Sequence, residues 1–475
     1  MATTSRSPGE ESFARLSSED VRSFVDAFRG EVLRPSDPEY ETERRVWNGM
    51  IDRHPAIIAR CTGVADVVAA VEFAREQGLP VATRGGGHNV AGTAVCDGGV
   101  VVDLAEMNGV RVDRESRTVR AEAGATLGDV DRETQLFGLA TALGAVSETG
   151  IAGLTLNGGY GHLSRQYGLA LDNVTSVDIV TADGRVHTAS ADRNEDLFWA
   201  VRGGGGSVGI VTSIEYTLHD VGPDVYVLFT WFHGDDASAV MAAFRRWAES
   251  APRDAGVLAF AAHVPELEEF PEKAWGEPAL ALLGSYRGDA SDAEDVFQVL
   301  LESATPVVDP SGPMAFVDMQ SMLDEDYPDG LRYYWKSIYL DELTDEVIEL
   351  MVRVNESAPS ALSTVDLWHL GGAVGEVPRD ETAFWHRDKP YMLTFEANWE
   401  SPNEDEANVA WAREGIAQAQ ALSVASGRYG NFPGMNEDPA KLLYGGNYDR
   451  LAEIKSAYDP ENVFAGSVDP RPRTE

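Results

Sequence analysis

The sequence predicts an α+β protein of two domains, and three observations predict it. The chain has 475 residues and is 43% apolar, enough for more than one core. From about 55 to 218, short strands and helices alternate closely around three glycine clusters. Past VGPDV (221–225) the pattern shifts to longer helical stretches mixed with strands such as VYVLFTWF (225–232) and YMLTFEANW (391–399).

Residues 1–50 are polar, with a helical pattern over 17–32 that Ser17 or Ser18 can cap and whose first turn carries acids. VADVVAAVEFAREQ (64–77) reads as an amphipathic helix that Gly78 stops. A short strand, LPVAT, leads into the loop RGGGHNVAG (84–92). GVVVDL (99–104) is strand-like, and VRVDRESRTVRAEAG (110–124) alternates around a central turn, as a hairpin does. Residues 126–141 read as helix and 150–167 as a glycine-rich stretch. Two strands flank Asp183-Gly184 within 174–190. Residues 196–218 give a helix, a glycine loop and a strand, and 444–464 gives a helix running to a turn at Asp459-Pro460.

Charge narrows the partners. There are 78 acidic residues against 38 basic ones, only five of them Lys, for a net charge of −40. Such a chain repels phosphate backbones and anionic membranes, so neither nucleic acid nor membrane is expected as a partner. The acids are spread along the whole chain and point to a uniformly acidic, solvated surface of the kind found in salt-loving organisms. Two cysteines, Cys61 and Cys96, make no disulfide framework. With no CxxC and no paired histidines, no metal is expected. The N-terminus lacks an apolar signal core, Arg44-Arg45 is not followed by apolar sequence, and no run has membrane length; the expected location is the cytoplasm.

The glycine clusters are Gly85 to Gly87, Gly158-Gly159 with Gly161, and Gly203 to Gly206. Without Cβ atoms the backbone can approach a ligand and turn successive N–H groups toward one point, which holds a diphosphate without lysines. Three clusters in one domain indicate a large phosphate-bearing cofactor. Two other patterns fail on context. Gly204, Gly206 and Gly209 fit GxGxxG, and GGSVG (205–209) fits GxSxG around Ser207. Both need a strand before and a helix after, and here the order is reversed.

RGGGHNVAG (84–92), TGIAGLTLNGGYGHLSRQYGLALDNV (149–174), DLFWAVRGGGGSVGIVT (196–212) and NYDRLAEIKSAYDPENVF (447–464) together resemble the berberine-bridge-enzyme-like branch of the FAD-linked oxidases, in the vanillyl-alcohol-oxidase (PCMH-type) superfamily. The resemblance implies an N-terminal helical segment (1–44), a PCMH-type FAD-binding domain (45–220), an α/β substrate domain with an antiparallel sheet (221–424) and a tail (425–475) that returns to the FAD domain. It implies FAD, looped by Arg84, Gly85, Gly86, Gly87, His88 and Asn89, with His88 joined covalently to the flavin 8α-methyl. A neutral imidazole is a competent nucleophile for that bond. The residue that forms a second, cysteinyl link in some relatives is here Val146, so a single link is expected. Ser147, Thr149, Gly150, Gly153, Gly158, Gly159, Tyr160, Gly161 and Asn173 are implied along the flavin and diphosphate, and Gly209, Ile210 and Val211 by adenine. Ile151 takes the position that tunes oxygen access.

The implied reaction is hydride transfer from a small alcohol, sugar or phenolic substrate, with O₂ or another acceptor reoxidising the flavin. A flavin-storage protein without turnover is the rival. The base beside the flavin is expected from Tyr448, or from Tyr444. Thr394 stands where some relatives carry Glu or Gln, and Glu396, two residues on, shares its strand face as a reserve. His369 and Arg387 lie in segments similar to substrate-side loops. The ending FAGSVDP departs from the polar pair usual after the last Phe.

Overall fold

The computed structural model describes residues 6–435, 439–464 and Pro470. The helix Val64–Gln77 forms where its apolar residues recur at helical spacing, and it buries Val67, Ala70, Val71 and Ala74 on one stripe. It stops at Gly78, which takes φ +64° and returns its N–H to the last turn. The helix expected over 17–32 is shorter, Ser18–Ala27, capped by the Ser17 side chain. It ends early because Glu31–Leu33 pairs antiparallel with Ile58–Arg60, and strand pairing wins over helical propensity there. The helix expected over 126–141 likewise ends at Thr134, followed by a single tight turn and Gly138, and Leu139–Ala140 pairs with His219–Asp220.

Three larger sheets organise the described residues. The first has the order Glu31–Leu33, Ile57–Arg60, Val100–Asp103, Val81–Arg84. Its last two neighbours run parallel, and Val100–Asp103 is buried on both faces, as its unbroken apolar run requires. The edge strand Val81–Arg84 empties straight into the loop at Gly85. The second sheet is antiparallel and holds the hairpins 110–113/118–122 and 174–180/186–190, with Ile210–Thr217 between them. The third is a nine-stranded antiparallel sheet drawn from residues 224–426. Leu393, Phe395 and Ala397 of its strand Tyr391–Trp399 join the apolar core formed with the helices Ala237–Ala248, Asp345–Glu356 and Asp405–Gln420. The alternate residues Met392, Thr394 and Glu396 face the other way. All nine residues of this strand are buried, so polar side chains on that face are interior.

The tail returns to the first half of the chain. Leu451, Ile454 and Phe464 share one apolar core with Val67 and Val71. Lys455, fully buried on the helix Tyr448–Tyr458, donates to the Asp459 carboxylate (2.9 Å), to the Phe464 carbonyl (3.1 Å) and to the Ser207 carbonyl (2.8 Å). This buried ion pair staples the tail to the glycine loop 203–209. Among the described residues no helix is long and apolar enough to cross a membrane, and no cluster of His, Cys, Asp or Glu is arranged to hold a metal.

Candidate functional site

A cavity of about 570 Å³ lies between the glycine loops of the first half and the inner face of the nine-stranded sheet. One wall is backbone. Gly86 and Gly150 pack so closely that a Cβ on Gly86 would meet the Gly150 nitrogen at 2.5 Å, and a Cβ on Gly150 would meet the Gly86 nitrogen at 2.4 Å. The N–H groups of Gly86, Gly87 and His88 donate to no described residue. At Gly153 a Cβ would project into open space. Uncommitted donors beside missing side chains are what a diphosphate-bearing cofactor needs, so the residues present fit FAD.

Of the residues expected from sequence, Gly85, Gly86, Gly87, His88, Asn89, Thr149, Gly150, Gly153, Tyr160, Gly209, Ile210, Val211 and Tyr444 line this cavity, and so does Val146. Others stand behind it. Arg84 is buried in an ion pair with Asp103 (2.6 Å) and donates to the Glu43 carbonyl (2.5 Å), so it braces the loop rather than touching the cavity. Both the N–H and the hydroxyl of Ser147 are taken by the Asp324 carboxylate. Asn173 pins the Tyr167 and Leu169 carbonyls and His219. Gly161 is pressed against the carbonyls of Leu143 and Gly144. Gly158 (φ +132°) would bring a Cβ within 3.0 Å of the Tyr429 ring, and Gly159 gives its N–H to the Tyr429 hydroxyl, so both serve Tyr429. Ile151 is fully buried in the apolar core, leaving Ala152 and Gly153 on the cavity wall.

Tyr448 is displaced from its expected place. It sits half-buried on the first turn of the tail helix, packed against the apolar core with Lys441 over its ring, and it does not line the cavity. Tyr444 does line it, but on the side of Leu451 and Phe464. His369 and Arg387 are also structural. His369 meets Arg165 at 2.9 Å, and Arg387 is buried against Asp172 at 2.6 Å. The hydroxyl of Ser207 is buried without a partner among the described residues, unlike an exposed nucleophile. The altered ending FAGSVDP falls mainly on 465–469, outside the described residues.

His88 is held by stacking. Its ring lies 4.7 Å from that of Trp47 at 16°, and Trp47 in turn stacks on Tyr333 at 3.7 Å. Burial pushes the imidazole down to about 4, so it is neutral and nucleophilic at physiological pH. Next to Trp47, Asn48 donates to the Val90 carbonyl (2.7 Å) and to the Tyr333 carbonyl (2.9 Å), tying the histidine loop to the nine-stranded sheet.

The opposite wall is made of side chains. Trp335, Asp366, Trp368, Met392 and Glu396 project from three neighbouring strands, and Tyr327 closes over them. Glu396, 2% exposed, accepts from the Thr394 hydroxyl (3.0 Å) and from Tyr327 (3.1 Å). Burial pushes its carboxyl up to about 7, against the pull of those two hydrogen bonds. Burial, reinforced by Glu396, raises Asp366 well above the usual carboxylate range. Tyr429 also lines the cavity. Its phenol oxygen receives the N–H of Gly159 (3.0 Å), the N–H of Tyr160 (3.3 Å) and the Asn431 amide (2.9 Å). Burial raises this phenol, and the three donors oppose the rise. Sequence reasoning missed Trp47, Tyr327, Asp366 and Tyr429. Only RYGNFPG (428–434), an aromatic turn sequence rich in small residues, carried a local signal.

Residues 55–190 match the model of an FAD binding domain, and residues 428–467 match the berberine and berberine-like model. The chain is 30% identical to (R)-6-hydroxynicotine oxidase of Paenarthrobacter nicotinovorans over 458 residues, covering 92% of this chain and 96% of that protein. The structure of Physcomitrella patens BBE-like 1 superposes with a TM-score of 0.86 at 24% identity, covering 96% of this chain and all of the other. Glucooligosaccharide oxidase from Acremonium strictum, with its 6-S-cysteinyl, 8α-N1-histidyl FAD, superposes at 0.84 with 24% identity, again covering 96% of this chain and all of the other.

Proposed function

The chain belongs to the berberine-bridge-enzyme-like FAD-linked oxidoreductases, and from that membership we propose how its own residues oxidise a small organic substrate. It is an FAD-dependent enzyme rather than a flavin store. Bound FAD supplies a two-electron acceptor that O₂ or another oxidant later restores.

The N–H groups of Gly86, Gly87 and His88 hold the diphosphate, and Gly209 to Val211 meet adenine through backbone groups. Arg53, the one Arg or Lys among the described lining residues, adds a positive charge from where the Gly92 and Val95 carbonyls fix it. His88 forms the covalent link. Val146, which the resemblance puts where some relatives carry the linking Cys, lies on the cavity wall, and an isopropyl side chain forms no such bond, which supports a single attachment.

The observation that carries the catalytic reading is that two buried carboxyl groups, Asp366 and Glu396, open on the same cavity that the glycine loops wall. Glu396 takes the substrate's proton as the adjacent C–H bond breaks. A proton acceptor works best when its own affinity lies near the operating pH, and at about 7 Glu396 meets that condition, unlike the cavity tyrosines. The Thr394 and Tyr327 hydroxyls orient the carboxylate and stabilise it when ionised. Trp335, Trp368 and Met392 exclude water and seat the apolar part of the substrate.

The test is anaerobic bleaching of the flavin by a panel of sugars, alcohols, phenols and amines, in the wild type and in Glu396→Gln. The expected result is a compound that bleaches the wild type and not the variant, with FAD content equal in both. A variant that bleaches at the wild-type rate would remove Glu396 from this role.

A further inference from the structure

The inner face of the nine-stranded sheet carries two buried carboxyl groups with no cation beside them among the described residues. Asp366 lies opposite Thr394, and Glu396 opposite Thr364, so the two carboxyls sit diagonally on adjacent strands and on one face. Asp366 is 3% exposed, and its Oδ1 has no hydrogen-bond partner among the described residues. Around the pair stand Leu258, Tyr327, Trp335, Trp368 and Met392. No Lys or Arg among the described lining residues reaches them, because Arg53 is tied to the Gly92 and Val95 carbonyls in the FAD half.

A buried carboxylate is costly unless a cation or several donors compensate it. Glu396 has two hydroxyl donors, while one oxygen of Asp366 has none. The aromatic walls present π faces, the negative part of the ring quadrupole, that attract cations. The segment that brings Leu323 and Tyr327 to the cavity also carries Asp324, Glu325, Asp326 and Asp329, so the approach is acidic too. A neutral polyol finds the Trp368 Nε1–H, which has no partner among the described residues, but it brings no positive charge to Asp366. A single positive charge on an apolar body matches it.

Resting on the reading that this face is the substrate seat, we propose that the substrate is an organic amine bound as its cation, with the ammonium group on Asp366 and the hydrocarbon part against Trp335 and Trp368. Asp366 is then the residue that selects amine over alcohol, while Glu396 keeps the role assigned above.

The test is calorimetric titration of the FAD-loaded protein with benzylamine, with its neutral isostere benzyl alcohol, and with cellobiose. Benzylamine is expected to bind at least about tenfold more tightly than benzyl alcohol, the scale of a hydrogen bond to a charged group. Asp366→Asn, which keeps the shape and removes the charge, should abolish that preference without changing FAD content. Asp366→Glu should retain part of it. The proposal is overturned if benzyl alcohol or cellobiose binds as tightly as benzylamine, if none of the three binds, or if the preference survives Asp366→Asn. A neutral substrate that reduces the flavin and depends on Glu396 would remove the amine class and leave the seat standing. An amine that binds equally well to Asp366→Asn and Glu396→Gln would remove the seat as well.

Discussion

The two walls of the cavity are built by opposite means. On the FAD side the contacts come from backbone N–H groups and from side chains that are absent, as at Gly86, Gly150 and Gly153. On the sheet side they come from large or ionisable side chains, Trp335, Asp366, Trp368 and Glu396, gathered from three separate strands of the sheet. A backbone wall recognises a constant group, a diphosphate, and tolerates little change. A side-chain wall can be rewritten one residue at a time without disturbing the sheet beneath it. The difference assigns cofactor retention to the first wall and substrate choice to the second, and each of the following measurements can break that division.

The largest effect is expected at His88. His88→Ala should abolish covalent attachment, so that all yellow colour leaves the acid-precipitated protein and stays in the supernatant. Colour retained in the pellet of the variant would move the link elsewhere. Because the His88 imidazole stays neutral down to about pH 4, attachment in the wild type should be complete across pH 5 to 8.

Next comes Glu396→Gln, with FAD attachment intact and anaerobic flavin reduction slowed by roughly 10²- to 10⁴-fold, the range for loss of a general base. In the wild type, kcat/KM should rise about tenfold per pH unit up to about 7 and level off above it, because the carboxyl must be ionised to accept a proton. The limb should vanish in the variant. A wild-type profile flat from pH 5 to 8 would place the base in another group.

Lys455→Ala tests whether the FAD wall depends on the tail. It leaves Asp459 buried without its cation, held only by the Val463 and Phe464 N–H groups, and frees the Ser207 carbonyl, and should cost about 3–5 kcal/mol of unfolding free energy. A smaller fraction of protein with flavin attached at His88 should accompany it, while binding at the sheet wall in molecules that carry FAD should be unchanged. A variant with wild-type stability would show that the staple is redundant.

The same contrast explains what the sequence made legible. The helix 64–77, the hairpin at Asp183-Gly184 and the loop at Gly85 to His88 are local: a few adjacent residues specify each, so pattern and composition reveal them. The cavity side of the sheet is nonlocal. Asp366 and Glu396 become a pair only when two strands align in one register, and nothing within either segment says which face will be interior. Glu396 read as a reserve because the resemblance put the acid position two residues earlier, at Thr394. Spacing put Tyr448 beside a glycine turn, whereas in the fold it opens the tail helix and packs against the apolar core with Lys441 over its ring. Gly158 and Gly159 were legible as special positions but not as partners of Tyr429, some 270 residues away.

The smallest effect concerns neither wall but the surface around both. With a net charge of −40 the folded chain repels itself, and at low ionic strength that repulsion reaches across the molecule. The Debye length falls from about 10 Å at 0.1 M salt to about 3 Å at 1 M, which confines each charge to its immediate neighbours. The exposed ion pairs, such as Arg117 with Asp220, lose little, because pairs of that kind contribute only about 0–1 kcal/mol to begin with. The melting temperature should therefore rise by several degrees between low salt and molar KCl. The buried Lys455–Asp459 pair and the carboxyls of the sheet wall lie out of reach of screening ions, so FAD retention and the pH dependence assigned to Glu396 should not move with it. A melting temperature that stays flat while the pH profile shifts would mean that the acidic surface acts on the site instead of on the fold.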